Sequence, residues 1–231
     1  IKNFKERKKH KIILVRHGES EGNVDPTRYM EIPDHKIELT DKGKQQAIDA
    51  GKLIRKIIKN KPLDVYVSPY IRTEQTWNGI KKGLSFDVVN VEYDPRLREQ
   101  QHTIFRSSEH RIEKFKEQKK FSNFYYRFGK GGESGADVYS RITTFLHEVR
   151  SDRFNGFNFR NDTIIVAHDI ALRAIIMRLY SLLPEDFDQM PHLDNASPIV
   201  LETTNFKNGK IIESETIANE KLINFLNNKK I

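Results

Sequence analysis

Five polar residues lie at or just beyond the ends of predicted strands or the starts of predicted helices: Arg16, His17, Arg72, Glu99 and His168. A neutral imidazole, whose ordinary pKa is about 6.5, can attack phosphorus and carry the phosphoryl group covalently. Arginine presents a planar, permanently charged fork that binds phosphate oxygens through two hydrogen bonds. Two imidazoles, two guanidinium groups and one carboxylate therefore favour phosphoryl transfer without a metal ion.

The carboxylate has a separate part in such chemistry. A carboxylate beside a bound phosphate dianion should have a raised pKa, which makes Glu99 a suitable proton donor to the leaving oxygen. Taken singly, each residue also has an ordinary explanation. His168 alone fits a structural histidine, Arg72 alone fits a helix surface, and Glu99 alone fits a salt bridge with Arg98. The pairing of His168 with His17 favours a site.

Strands and helices alternate along the chain, which predicts how these residues come together. Branched apolar runs predict strands at 12–15, 65–67, 88–91 and 164–167, with a late strand at 199–204. The intervening helices imply a mostly parallel sheet with helices on both faces, an α/β three-layer sandwich. Strand ends in a parallel sheet share one edge, and ligand sites form there. We therefore expect the five polar residues to meet.

Helix boundaries are predicted from caps and breakers. Thr40 is the predicted N-cap of a helix whose apolar residues recur at helical spacing until Pro62. Tyr70 is predicted on the buried face of the following helix. A third helix spans 135–150 behind a Ser134-x-x-Asp137 capping box, a fourth spans 170–183, and an amphipathic helix ends the chain.

Composition bounds the remaining properties. The 231 residues suit one domain over 1–231, and the net charge of +8 favours anionic partners. The basic run Lys5–Lys11 is predicted to be a solvated arm. Absence of cysteine excludes disulfides, thiolate metal sites and cysteine nucleophiles. No apolar stretch is long enough for a membrane span and no signal peptide is evident, so we expect a cytoplasmic protein.

The segment 100–132 mixes basic and aromatic residues and resembles an insertion with its own short helix. Three interpretations stay open. It could be a nucleic-acid surface, although it lacks a module signature and nucleic acid is not favoured. It could be a lid that offers one or two cations to the non-transferred part of a substrate. It could also be a solvated helix whose aromatic residues pack on the core.

Several motifs together resemble the histidine phosphatase superfamily, in its phosphoglycerate-mutase-like branch. The resemblance runs from about Lys11 to about Thr203. It rests on Arg16-His17-Gly18-Glu19-Ser20 with Asn23, Leu39-Thr40-x-x-Gly43-x-x-Gln46-Ala47, Ser68-Pro69-x-x-Arg72-Thr73-x-Gln75-Thr76, Leu97-Arg98-Glu99 and Val166-Ala167-His168.

The resemblance implies a phosphoglycerate-mutase-like fold and a histidine phosphatase of the acid type that uses neither a metal nor a cofactor. His17 would be the phosphorylated nucleophile, with Arg16, Arg72 and His168 in the phosphate pocket. Glu99 would protonate the leaving group and then activate water, and Asn23 matches a pocket asparagine. The substrate would be a small phosphorylated metabolite or a phosphoprotein. Family members are often dimers, which leaves a homodimer open.

Two departures from the family pattern bear on function. Asp169 follows the second histidine, where a small residue is usual; its main-chain N–H can still face phosphate, so Asp169 is a candidate substrate-binding residue. Its carboxylate would oppose the cationic pocket unless it turns away. Around Glu99 the chain lacks the Glu-Arg-x-Tyr-Gly stretch of true mutases. This favours a phosphatase, with a phosphoglycerate mutase (an isomerase) and a non-catalytic phospho-ligand-binding protein as alternatives.

Overall fold

The computed structural model describes residues 10–58, 63–86, 88, 90–149, 161–203, 206–207, 210–211, 216–217 and 220–229. Most of the predicted basic arm Lys5–Lys11 lies outside these residues. Within the described ranges, no helix combines the length and the apolar character needed to cross a membrane.

The centre of the fold is a mostly parallel sheet of six strands, as the alternating pattern predicts. The described strands are β1 His10–Arg16, β2 Leu63–Val67, β3 Asn90–Tyr93, β4 Asp162–Ala167, β5 Ile199–Thr203, β6 Phe206–Lys207, β7 Lys210–Ile211 and β8 Thr216–Ile217. Strands β6 and β7 form a separate two-stranded sheet. The strand order in the main sheet is β3-β2-β4-β1-β5-β8. The first four in that order run parallel, and β5 pairs antiparallel with β1.

Helices connect the strands and cover both faces of the sheet. They are α1 Glu21–Val24, α2 Arg28–Glu31, α3 Asp41–Ile58, α4 Ile71–Leu84, α5 Ser108–Phe121, α6 Gly135–Val149, α7 Asp169–Tyr180, α8 Pro184–Gln189 and α9 Glu220–Asn228. Short 3₁₀ turns occupy Asp34–Lys36 and Pro95–Leu97.

The alternation of β1 side chains divides the core into two layers. Ile12 and Leu14 pack with buried residues of α6 and α7 on one face. Ile13 and Val15 pack with buried residues of α3 and α4 on the other. All four of these β1 side chains are fully buried. This is the three-layer α/β sandwich that the sequence predicts.

Capping contacts confirm two of the predicted helix starts, whereas Pro62, the predicted end of the first long helix, and residue 150, the predicted end of α6, lie outside the described residues. The Thr40 hydroxyl accepts a hydrogen bond from the Gly43 N–H at 3.0 Å, as expected of the N-cap of α3. The Ser134 and Asp137 side chains bond each other's backbone N–H groups at the start of α6, which forms the predicted capping box.

Three local predictions are wrong in detail. The third strand begins at Asn90 rather than Val88, and Val89 lies outside the described residues. Helix α7 ends at Tyr180 rather than Leu183, because Ser181 adopts the left-handed conformation (φ 53°) and α8 begins at Pro184. Tyr70 precedes α4 instead of lying on its buried face, and its half-buried ring lines a pocket.

Candidate active site

His17 directly follows β1, at the carboxyl edge of the parallel strands. Its backbone N–H continues the sheet by donating to Ala167 O at 3.0 Å. The ring is buried, and its Nδ1–H donates to Gly18 O at 2.8 Å. Because Nδ1 carries the proton, Nε2 holds the free lone pair. Burial lowers the pKa of His17 well below its ordinary value, and the nearby Arg72 and Arg16 cations lower it further.

The turn after His17 is held by close backbone contacts. A Cβ atom added at Gly18 would lie 2.4 Å from Gly43 O, and one at Gly43 would lie 2.0 Å from Glu19 O. The Gly18 N–H donates to Thr76 Oγ1 at 3.0 Å. The Glu19 N–H donates to Gln46 Oε1 at 2.9 Å. The glycines and polar residues of the second and third sequence motifs therefore hold the histidine loop in place.

Two guanidinium groups flank His17. Arg16 Nη1 donates to Leu193 O at 2.6 Å. Arg72 is 1% exposed; its Nη1 donates to Asp34 O at 2.5 Å and lies 2.9 Å from Asp34 Oδ1. The Nε atom of each guanidinium is buried, without a hydrogen-bond partner among the described residues. Both arginines therefore keep buried donors for an anion.

His168 completes the pair of imidazoles. It follows β4 at the N-terminus of α7 and is fully buried. Its ring centroid lies 5.3 Å from that of His17 and 4.9 Å from that of Tyr70. Nε2 is 2.8 Å from Ser68 Oγ, whereas Nδ1 is buried and has no partner in the described part of the chain. Burial, followed by the charge of Arg72, lowers the pKa of His168 well below its ordinary value.

Glu99 lines the same pocket and lies just after the 3₁₀ turn Pro95–Leu97. Its Oε1 accepts a hydrogen bond from the Gln100 N–H at 2.9 Å. Burial against the pocket wall raises the pKa of Glu99 to about 7, and the nearby carboxylates of Asp169 and Asp34 also raise it. Close to neutral pH, this carboxyl group is therefore divided between its acid and base forms.

A buried ion-pair network holds the backbone that carries Glu99. The Glu133 carboxylate accepts hydrogen bonds from Arg98 Nη2 at 2.5 Å and from Arg141 Nε at 2.9 Å. Arg141 also donates to the carbonyls of Arg96 and Glu99, at 2.5 Å and 3.2 Å. The Gln101 N–H donates to Glu133 Oε2 at 3.0 Å. Glu133 and Arg141 thereby hold the chain on both sides of Glu99.

Asn23 and Asp169, the other two predicted site residues, are placed differently. Asn23 lines the pocket, and its Oδ1 accepts the Ser20 N–H at 3.0 Å. The Asp169 carboxylate instead accepts the Leu193 N–H at 2.8 Å and Nδ1–H of His192 at 2.6 Å. Burial raises the pKa of Asp169, but the His192 bond holds it below its ordinary value. Asp169 thus turns its charge away from the two imidazoles.

The pocket has a volume of about 430 Å³ and continues well beyond the predicted residues. Its lining also includes side chains that the sequence did not single out as site residues: Tyr29, Asp34, His35, Tyr70, His102, Arg111 and Phe115. Arg111 and Phe115 belong to α5, so the basic-aromatic segment contributes to the pocket, as the lid interpretation predicts. The only sequence signal for this contribution of α5 was the mixture of basic and aromatic residues in the segment.

The arrangement brings a neutral imidazole with a free Nε2, two guanidinium groups and a proton-exchanging carboxyl group to the lining of one pocket. The second imidazole, His168, is not part of that lining, but its ring lies beside those of His17 and Tyr70. Such a site can bind a phosphate dianion and move its phosphoryl group to and from nitrogen. In the described ranges, no group of three His, Asp or Glu side chains is arranged to hold a metal ion.

Comparison with known proteins agrees with this geometry. The family model of the histidine phosphatase superfamily (branch 1) matches residues 12–211. The chain is similar to "Phosphoglycerate mutase-like protein AT74" of Arabidopsis thaliana, with 37% identity over 205 residues. That match covers 83% of this chain but 64% of the relative's own length.

Two further similarities concern sequence and fold. The chain is 32% identical over 205 residues to "Phosphoserine phosphatase 1" of Hydrogenobacter thermophilus, covering 86% of this chain and 89% of that protein. The native structure of mycobacterial glucosyl-3-phosphoglycerate phosphatase has the same fold, with a TM-score of 0.67 and 20% identity. The superposed region covers 91% of this chain and 97% of the mycobacterial protein.

The Glu133 network makes a prediction about stability. Glu133→Gln removes the carboxylate shared by two guanidinium groups that are mostly buried, so we expect the free energy of unfolding to fall by about 3 kcal/mol. Glu148→Gln is the matched control. Glu148 also pairs with an arginine, Arg96, but its side chain is 68% exposed, so this ion pair should contribute little to stability. Urea denaturation followed by circular dichroism measures both variants. Equal, small losses would contradict the proposed importance of the network.

Proposed function

This chain belongs to the histidine phosphatase superfamily, and we propose that it hydrolyses small phosphomonoesters, without a metal ion, through a phosphohistidine on His17. The observation that carries this proposal is the hydrogen bond from Nδ1 of His17 to Gly18 O, which leaves Nε2 free beside two guanidinium groups. Arg16, Arg72 and His168 would bind the phosphate oxygens, with Asn23 at the edge of the pocket. In the first step, Nε2 of His17 forms a bond to phosphorus as the bond from phosphorus to the ester oxygen breaks.

Glu99 would serve both steps as an acid and then as a base. In the first step its carboxyl group gives its proton to the leaving oxygen, so that the alcohol departs neutral. In the second step the Glu99 carboxylate takes a proton from water, whose oxygen attacks phosphorus while the bond between phosphorus and Nε2 breaks. Inorganic phosphate leaves, and both His17 and Glu99 return to their starting forms. A pKa of about 7 suits a group that must act in both directions.

The low pKa of His17 supports its role as the nucleophile. Burial and the neighbouring guanidinium groups disfavour a proton on Nε2, so the ring is neutral throughout the neutral pH range. The same guanidinium groups attract the phosphate dianion and stabilise the charge on its equatorial oxygens during transfer. The same cations therefore help to keep the His17 ring neutral and also bind the phosphate that it attacks.

Relatives of the chain carry the names of phosphatases and of mutase-like proteins, so the direction of phosphoryl transfer needs its own test. A phosphatase releases inorganic phosphate to water, whereas a phosphoglycerate mutase interconverts 2- and 3-phosphoglycerate with little net release. The residues around Glu99 lack the stretch typical of true mutases, which supports the phosphatase.

A panel of phosphomonoesters, assayed for phosphate release beside a bisphosphoglycerate-primed mutase assay, tests the proposal. We expect phosphate release in excess EDTA, no more than weak mutase activity, and complete loss of turnover in His17→Ala. Efficient isomerisation without phosphate release would replace the phosphatase by the mutase. Undiminished turnover in His17→Ala would refute the nucleophile, and phosphate binding without turnover would indicate a non-catalytic binding protein.

The protonation of Glu99 predicts the pH dependence. Because the acid form is needed for the first step, kcat/KM should fall as the pH rises through about 7, with tenfold loss for each further pH unit. Glu99→Gln should lower kcat/KM for an alkyl phosphate by about 10²- to 10⁴-fold and abolish that dependence. Steady-state kinetics between pH 5 and 9 measure both effects.

The leaving group provides the control for this prediction. The leaving oxygen of 4-nitrophenyl phosphate needs little protonation, so Glu99→Gln should slow its transfer to His17 much less than that of an alkyl phosphate. Equal losses with the two substrates would show that Glu99 does not act as the acid.

A further inference from the structure

The pocket extends past the residues that would handle the phosphoryl group. Its outer part is formed by Tyr29, His102, Phe105, Arg111 and Phe115, which the proposed chemistry does not use. A volume of about 430 Å³ lies within the range of pockets that hold whole small molecules, roughly 300–1,000 Å³. Because these residues belong to the same pocket as His17, they would surround the leaving group of a bound phosphomonoester.

One wall of this outer part is a packed cluster of rings. The His102 ring centroid lies 4.5 Å from that of Phe128 and 5.5 Å from that of Phe115, and the Phe115 and Phe128 centroids are 5.2 Å apart. Phe128 is fully buried and anchors the cluster. Burial lowers the pKa of His102 to about 4, so this ring is neutral and adds to an uncharged wall. Such walls favour flat, apolar groups.

Tyr29 also lines this part of the pocket, and its position is set by packing. A Cβ atom added at Gly22 would lie 2.7 Å from the Tyr29 ring, so the ring rests directly on the glycine backbone. At the mouth of the pocket, Ile104 exposes 88% of its side chain. An apolar leaving group would therefore meet the Tyr29 ring, the ring cluster and the exposed side chain of Ile104.

Arg111 is the one cation that α5 contributes to the lining of this pocket. Its guanidinium carbon lies 4.8 Å from the Phe115 ring centroid and 6.0 Å from each of the Tyr29 and Phe105 centroids. Within the described ranges, no carboxylate lies within ion-pair distance of it, whereas Arg72 at the inner end of the pocket is paired with Asp34. The rings therefore hold Arg111 in place without neutralising its charge.

We propose that the outer pocket binds an aromatic leaving group that carries a second anion, such as a carboxylate, which pairs with Arg111. This inference rests on the proposed function for its role in turnover, since the same pocket would present the phosphoryl group to His17. The aromatic body packs against the rings of Tyr29, His102, Phe105 and Phe115 that line the pocket. The preferred substrates are thus aryl phosphates with an anionic substituent, rather than small aliphatic phosphates.

The test compares 4-carboxyphenyl phosphate with phenyl phosphate in the wild type and in Arg111→Gln. The ratio of kcat/KM between variant and wild type is taken for each substrate, which cancels the intrinsic reactivity of the leaving group. We expect Arg111→Gln to lower kcat/KM about tenfold or more for the carboxylated substrate and less than about threefold for phenyl phosphate. Arg111→Lys should retain part of the preference. Arg106→Gln, at an exposed position before α5 and outside the pocket lining, should change neither value.

Equal losses on both substrates would assign Arg111 a packing role, and unchanged values would show that it does not meet the leaving group; either result overturns the inference. A second arm keeps the inference separate from the proposed function. Calorimetry with 4-carboxybenzylphosphonate and benzylphosphonate, which cannot be hydrolysed, should show the same dependence on Arg111. If that dependence appears but no phosphomonoester is turned over, the proposed function fails and the anion site stands. If phosphomonoesters are turned over but neither turnover nor binding depends on Arg111, the proposed function stands and the anion site fails.

Discussion

The backbone contact between Gly18 and Gly43 is the constraint on which the site depends. Each glycine lies so close to a carbonyl of the opposite segment that a single added methyl group would overlap it. This contact packs the turn after β1 against the start of α3. This turn places the carbonyl of Gly18 beside Nδ1 of His17. The hydrogen bond between them fixes the ring and therefore the direction of the free Nε2. A nucleophile is thus oriented by main-chain packing rather than by a carboxylate partner.

Charge then distinguishes the two ends of the pocket. At the inner end, burial and then the neighbouring guanidinium groups keep both imidazoles neutral, while burial keeps Glu99 close to half protonated at neutral pH. Asp169 would weaken this field if its carboxylate faced inward, but the Leu193 N–H and His192 hold it on the other side. At the outer end, uncharged rings surround a single cation, Arg111. The phosphoryl group and the rest of a substrate would therefore meet very different surroundings.

The central elements could be predicted from the sequence because their signals are local. The run 12–15 predicts β1, and Thr40 with the apolar stripe after it predicts α3. The meeting of Arg72, Glu99 and the two histidines followed from the rule that parallel strands end at one edge. The end of α7 could not be predicted, because Ser181 enters the left-handed region without a glycine. The position of Arg111 in the pocket could not be predicted either, because only tertiary packing distinguishes Arg111 from the exposed Arg106. The turning of Asp169 depends on a backbone N–H 24 residues away.

In the proposed mechanism, the phosphoryl group passes through a covalent bond to His17 before it reaches water. The stereochemical course at phosphorus distinguishes this route from direct attack by water. A phosphorothioate monoester that is labelled with 18O at phosphorus and hydrolysed in 17O water releases a chiral inorganic thiophosphate, whose configuration can be read. Two successive in-line displacements, first by Nε2 and then by water, predict retention of configuration. Inversion would mean that water attacks the substrate directly, and it would contradict a phosphohistidine on His17.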